Sequence, residues 1–135
     1  MIKIIIFTHG DLGSEILKTA ENIVGEQKEV FVFSLELVDS LVSVSKKLGE
    51  LLKKLESDEG TLILADMAGG TPCNASLPFS KNFKIEIITG LNLYMLISAF
   101  MNRSSMNLKE LAEKVLEDAK KNITNVKESF LNKIK

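Results

Sequence analysis

The chain has 135 residues, a length that suits one domain and leaves little room for a second. Its 17 basic and 18 acidic side chains nearly balance, which argues against a nucleic-acid binder that depends on bulk positive charge. The single cysteine, Cys73, excludes an intrachain disulfide, and the single histidine, His9, disfavours a histidine-rich metal site. We therefore expect one soluble, cytoplasmic domain over residues 1–135 without a targeting segment, with its core over about 1–121 and a tail over 122–135.

Short apolar runs alternate with longer segments of helical spacing. The runs predict four strands, at residues 2–7, 30–35, 61–65 and 83–89. Gly25 is predicted to end the first helix, and Asp39 to cap the second. Asn92 is predicted to cap a later helix, and Asn107 with Glu110 forms a capping box for the next one. This alternation predicts an α/β fold, a flavodoxin-like doubly wound parallel sheet of order 2-1-3-4 with helices on both faces.

The tail allows two interpretations. Ile123, Val126, Phe130 and Ile134 have the spacing of one helix face. The segment Ile-Thr-Asn-Val, which begins at Ile123, also suits a short edge strand. Both interpretations remain open on the sequence.

Two polar loops are expected at the ligand-binding edge of this sheet, because ligands bind beyond the carboxyl ends of parallel strands. His9 follows the first strand and Asp66 follows the third, so they face each other if those strands are neighbours. In the segment Gly69 to Asn74, the two glycines let backbone N–H groups converge, and Thr71 is predicted to cap a helix. Such a helix start suits an anion such as a phosphoryl group.

Together these residues have the chemistry of reversible phosphoryl transfer to histidine. The imidazole of His9 is a nucleophile, a carboxylate from Asp66 would orient it and stabilise its positive charge, and the amides would hold the anion. This chemistry requires neither a metal nor a cofactor.

Each residue also has a simpler interpretation. His9 and Asp66 are typical turn or capping residues, and Gly-Gly-Thr-Pro is typical of a loop that leads into a helix. Asp11 suits either the site or the cap of the first helix. Cys73 near a helix start allows a Cys–His catalytic pair as an alternative. There is no P-loop motif to support nucleotide hydrolysis.

The chain resembles the IIA component of the mannose/fructose/sorbose family of the bacterial phosphoenolpyruvate-dependent sugar phosphotransferase system (PTS). The resemblance covers about residues 1–120 and rests on segments that occur in the same order as in the family. They are Ile-Phe-Thr-His9-Gly, Leu-Lys-Thr-Ala-Glu, Gly25-Glu26-Gln27, Asp66-Met-Ala-Gly-Gly-Thr71-Pro-Cys-Asn74 and Ile-Thr-Gly90-Leu-Asn92-Leu-Tyr-Met-Leu.

The resemblance implies a phosphohistidine carrier. His9 would receive a phosphoryl group from the phosphocarrier protein HPr and pass it to a IIB component, which serves the membrane IIC/IID permease. Asp66 would pair with the imidazole, and Thr71 with the amides of residues 67–71 (Met67, Gly69, Gly70 and Thr71 among them) would hold the phosphoryl group. Family members are homodimers that exchange a C-terminal strand, which would assign residues 123–128 to the partner's sheet.

The chain departs from the family at two positions near the site. Ala68 stands where an aromatic side chain is common, and Tyr94 stands where a proline is common. No IIB sequence follows within the 135 residues, so we expect IIB to be a separate chain or to have been removed. Two other functions use the same residues: a phosphotransfer module for a dihydroxyacetone kinase, and a non-catalytic domain that senses an anion at the Gly-Gly-Thr turn.

Overall fold

A computed structural model describes residues 1–134 of the chain. Within them, four strands alternate with helices. The strands are β1 (Lys3–His9), β2 (Val30–Leu35), β3 (Thr61–Ala65) and β4 (Ile85–Ile88). The helices are α1 (Leu12–Val24), α2 (Leu41–Leu55), α3 (Thr71–Ser76), α4 (Leu93–Asn102), α5 (Leu108–Lys121) and α6 (Val126–Lys133), and a 3₁₀ helix (Leu77–Lys81) follows α3.

The four strands form one parallel sheet in the order β2-β1-β3-β4, which confirms the predicted topology. Residues Ile4 to Phe7 of β1 and Leu62 to Ala65 of β3 are fully buried, because both faces of these central strands are covered. One face packs against α1, α4 and α5, and the other against α2 and α3. The predicted covering of both faces is therefore confirmed.

Most of the predicted helix ends are observed. Asn92 accepts a hydrogen bond from the N–H of Met95 at 2.8 Å, and Asn107 and Glu110 form the reciprocal capping box. The prediction for α2 is wrong by one residue, because Ser40 caps the helix through its side chain. The carboxylate of Asp39 instead accepts a hydrogen bond from the N–H of Glu36, within the preceding turn.

The tail is helical in this structure. α6 begins after Asn125, whose side chain accepts a hydrogen bond from the N–H of Glu128. The strand that the family resemblance assigned to residues 123–128 is therefore not formed in the single chain, because this cap starts a helix inside that segment. No side chain of α6 is buried. Among residues 1–134, no helix is both long and apolar enough to cross a membrane.

Candidate functional site

His9 and Asp66 meet at the carboxyl edge of the sheet. β1 and β3 are parallel neighbours, so the last residue of β1 and the residue after β3 lie side by side. The Nδ1 atom of His9 is 2.8 Å from Oδ2 of Asp66. The imidazole is 46% exposed, whereas the carboxylate is only 11% exposed. The sequence predicted this pair, and the structure brings it together.

The Asp66 carboxylate is held from several directions. Its Oδ2 also accepts the backbone N–H of His9 at 2.9 Å, and its Oδ1 accepts the N–H of Met67 at 2.9 Å. Partial burial raises the pKa of Asp66. Four interactions outweigh this effect and lower the pKa below its usual value: the hydrogen bonds from the His9 backbone and ring, the charge of His9, and the hydrogen bond from the Met67 N–H. An ionised carboxylate can only accept, so in the neutral form of the His9 ring Nδ1 carries the proton and Nε2 carries the lone pair.

The turn from Gly69 to Thr71 packs beside the imidazole. Gly69 has φ of +77°, a conformation that favours glycine. A Cβ atom on Gly70 would lie 3.2 Å from Cε1 of His9, so the backbone passes close to the ring. Within the described residues, no hydrogen-bond partner is observed for the N–H groups of Gly69 and Thr71, and residues 67–70 form a tight turn.

Two predictions about this turn need correction. Gly70, in an extended conformation, occupies the N-cap position of α3. Thr71 is the first residue of α3 and not its cap. The N–H of Met67, predicted to hold an anion, donates to Asp66 because it follows that carboxylate directly in the chain. Asn74, which was assigned no role from the sequence, donates from Nδ2 to the carbonyl oxygen of Gly69 at 3.3 Å and so ties the turn to α3.

The loop that follows His9 is anchored by Thr8. This buried side chain accepts a hydrogen bond from the N–H of Gly13 at 2.8 Å and thereby caps α1. Asp11 occupies the N-cap position, but its side chain makes no capping hydrogen bond, so its predicted capping contact is not observed. The sequence signal for Thr8 is its position five residues before Gly13. In the structure, a Cβ atom added to Gly13 would lie 3.0 Å from the Thr8 hydroxyl.

Cys73 does not form the alternative catalytic pair. It lies in the middle of α3 as a free, partly buried thiol, and no hydrogen bond joins it to His9 in the part of the chain that the structure describes. Thr71 and His9 instead line a cavity of about 600 Å³ together with residues of the β1–α1 and β2–α2 loops.

Comparison with known proteins gives the family. The family model described as "PTS system fructose IIA component" matches residues 3–116. The chain belongs to this family. This IIA component is 35% identical over 103 residues to the mannose-specific EIIAB component of Escherichia coli, across 76% of this chain and 32% of the relative. The chain thus spans about a third of the length of that relative.

Two solved structures share the fold along nearly the whole chain. The EIIA component from Streptococcus agalactiae has a TM-score of 0.86 and 32% sequence identity. The match covers 94% of this chain and 98% of the Streptococcus chain. The mannose/sorbose-specific IIA subunit from Enterococcus faecalis has a TM-score of 0.84 and 32% sequence identity. The match covers 92% of this chain and 93% of the Enterococcus chain. This protein is therefore an EIIA component of the mannose/fructose/sorbose class of the PTS.

Proposed function

We propose that His9 carries a phosphoryl group on Nε2, which it receives from HPr and passes to a IIB component that serves a IIC/IID permease. The contact between His9 Nδ1 and Asp66 carries this proposal, because it leaves Nε2 as the only unprotonated ring nitrogen. The exposure of the imidazole supports transfer between proteins, since the ring is accessible at the surface. This role belongs in the cytoplasm, where the donor proteins act.

The proposed transfer is a direct displacement at phosphorus. The Nε2 lone pair of His9 forms the new N–P bond as the donor's N–P bond breaks, and the bonding pair returns to the donor's imidazole nitrogen. The His9 ring becomes cationic while Nδ1 keeps its proton. The fixed carboxylate of Asp66 then stabilises that charge at 2.8 Å. Transfer to IIB reverses these steps.

The phosphoryl oxygens would be held by the turn beside the ring. The N–H groups of Gly69, Gly70 and Thr71, with the Thr71 hydroxyl, are the proposed donors, since Gly70 packs next to the ring and Thr71 lines the same cavity. The N–H of Met67 contributes indirectly, because it holds Asp66. No metal or cofactor takes part in these steps.

Mass spectrometry of the intact protein tests this function. The chain is incubated with phosphoenolpyruvate, enzyme I and HPr, and we expect an acid-labile gain of one phosphoryl group that is absent in His9→Ala. Adding IIB should then discharge the wild-type phosphoprotein. If the folded protein gains no phosphoryl group, the proposal is wrong and the anion-sensing alternative is favoured. Discharge by a dihydroxyacetone kinase system instead of IIB would identify the other acceptor.

We also propose that the protein is a homodimer. In the single chain α6 leaves apolar side chains in solvent, among them Phe130, which is 60% exposed, and Val126, which is 74% exposed. Burying such a face against a second copy would remove that surface from water. Sedimentation of the wild type should give a dimer, and Phe130→Ser should shift it toward the monomer. A wild type that sediments as a monomer would contradict this assembly.

A further inference from the structure

A second cavity lies at the amino edge of the sheet, on the face that α2 covers. Its volume is about 560 Å³, within the range of roughly 300–1,000 Å³ that is typical of small-molecule sites. It opens between the end of α2 and the first residues of β3 and β4. His9 and Asp66 lie at the opposite, carboxyl edge of the sheet, so this cavity is separate from the phosphoryl site.

Thr61 places a buried hydroxyl group in this cavity. It is the first residue of β3 and is 3% exposed. Side chains alternate along a strand, so Thr61 lies on the same face as Ile63, which packs against α2. No hydrogen bond of the Thr61 side chain is observed within residues 1–134. Among these residues no side-chain nitrogen or oxygen is both sealed from solvent and unpaired, so this hydroxyl opens into the cavity that Thr61 lines.

The unpaired hydroxyl points to a ligand. A buried hydroxyl without a partner costs stability, whereas a valine side chain would fill the same space without that cost. Neither α2 nor the neighbouring strands supply a partner for Thr61 in the part of the chain that the structure describes. The hydroxyl therefore bonds only to a molecule that enters the cavity.

Apolar side chains surround this hydroxyl. Leu52 of α2 is buried in the core, and Phe83 and Ile85 pack against the same core cluster. All three line the cavity. The aromatic ring of Phe83 is only partly buried, so it offers an apolar surface on which the C–H face of a ring-shaped ligand can lie.

The rim of the cavity carries both hydrogen-bond donors and acceptors. Glu56, Ser57 and Asp58 line it on the side of α2, and Lys84 lines it on the side of β4. The Nζ atom of Lys84 donates to the carbonyl oxygen of Asp58 at 2.6 Å and so ties the two sides together. The Ser57 hydroxyl oxygen accepts the N–H of Gly60 at 3.3 Å, which leaves its proton free to donate.

The charges on the rim select the class of ligand. Two carboxylates and one ammonium group line the cavity, and none of them forms an ion pair within the described residues. A phosphate or carboxylate ligand would meet net negative charge. An amine can donate to the carboxylates but accepts nothing from Lys84 or Ser57. A ligand hydroxyl both donates and accepts, so a neutral ligand with several hydroxyl groups suits every polar group present.

We propose that this cavity binds a neutral, polyhydroxylated molecule of monosaccharide size. One ligand hydroxyl bonds to Thr61, others donate to the carboxylates of Glu56 and Asp58, and the C–H face of the ligand lies against Phe83. This binding does not depend on phosphoryl transfer at His9, and it involves no covalent step.

Amide NMR titration of the whole chain tests this site. Spectra are recorded with glucose, mannose, fructose or sorbitol at up to about 50 mM, because a ligand of this size is expected to bind with a Kd of about 1 mM. At least one of them should shift the amide signals of residues 56–61 and 83–85 in a saturable way. Thr61→Val should raise the Kd of that ligand about tenfold, since it keeps the shape of the side chain but removes the hydroxyl.

Thr19→Val is the matched control. Thr19 is exposed and belongs to α1, which packs on the other face of the sheet. Its Kd should equal that of the wild type. Thr61→Val should melt at no lower temperature than the wild type, because no hydrogen bond is lost, so a loss of binding would not reflect unfolding. His9→Ala should also keep the wild-type Kd, which separates this site from the proposed phosphoryl transfer.

Two charged probes test the choice of ligand class. Glucose 6-phosphate should bind more weakly than glucose, and cyclohexylamine should not shift the cavity signals. If cyclohexylamine shifts them and no neutral probe does, the ligand is a cation and the proposal is wrong. The proposal also fails if no neutral probe shifts residues 56–61, if the shifts fall on residues 66–71 instead, or if Thr61→Val keeps the wild-type Kd.

Discussion

One carboxylate oxygen of Asp66 contacts His9 twice. Oδ2 lies 2.8 Å from the ring Nδ1 and accepts the backbone N–H of the same residue at 2.9 Å. The second contact fixes the carboxylate relative to the backbone of the residue whose ring it orients. If the His9 side chain rotates away from Asp66, the carboxylate therefore stays in position, and the ring can return to the same contact.

Replacing Asp66 with asparagine should slow phosphorylation strongly. An asparagine can point its amide N–H₂ at the ring, which favours the tautomer that protonates Nε2 and removes its lone pair. We expect the rate of phosphorylation by phospho-HPr to fall about 10²–10⁴-fold in Asp66→Asn. Quenched-flow labelling would measure it, and a fall of less than about threefold would contradict the role of Asp66.

Two neighbouring glycines should respond differently to alanine. Gly70 has an ordinary negative φ, but its new Cβ would lie 3.2 Å from the imidazole, so Gly70→Ala should reduce the phosphorylation rate more than the stability. Gly69 has open space around it but a positive φ, so Gly69→Ala should lower the free energy of unfolding by about 1–2 kcal/mol. Paired thermal melts and labelling rates would test this contrast. Equal effects of both variants on both measurements would contradict it.

The lowered pKa of Asp66 gives a stability that depends on pH. Because the folded-state pKa is below the unfolded value, ionised Asp66 stabilises the fold above that unfolded value, near 4. This contribution is lost as pH falls through the folded pKa. The difference in unfolding free energy between the wild type and Asp66→Asn should therefore narrow from pH 6 toward pH 3. Urea unfolding at several pH values measures it, and a constant difference would refute the linkage.

Arg103 should be a large contributor to stability although it is far from the site in sequence. It is 3% exposed, its guanidinium donates to the carbonyl oxygens of Ile2, Lys28 and Glu29, and it lies over the Phe100 ring at 5.6 Å. Burial lowers its pKa, with Glu29 opposing that shift.

Arg103→Met should remove the guanidinium donors from the carbonyl oxygens of Ile2 and Lys28 and lower the unfolding free energy by about 2–4 kcal/mol. Lys121→Met is the control, because that lysine is exposed and pairs with Glu117 on the same helix. It should leave the unfolding free energy close to that of the wild type, because solvent screens an exposed ion pair. Chemical denaturation measures both variants, and similar values for the two would show that the Arg103 contacts do not stabilise the fold.

Local sequence patterns predicted most of the elements because their causes are local. The apolar runs indicated the four strands, and Asn92 and Asn107 were predicted as helix caps because a capping side chain bonds within three residues. The same logic missed by one residue at Asp39, since Ser40 is an equally good cap and its orientation decided the outcome. For His9 and Asp66, strand order had to be assumed before their meeting could be predicted.

Local patterns and the family resemblance were enough to predict the order of elements, the family and the residues proposed to take part in phosphoryl transfer. Three contacts became visible only in the folded chain. Thr8 instead of Asp11 bonds the start of α1, the Met67 N–H donates to Asp66, and Arg103 joins segments about 75 residues apart. The physical reason is that hydrogen bonds depend on the direction and distance of two groups in space. Spacing along the chain specifies these only within a helix or a turn, and beyond that the packing of the sheet determines them.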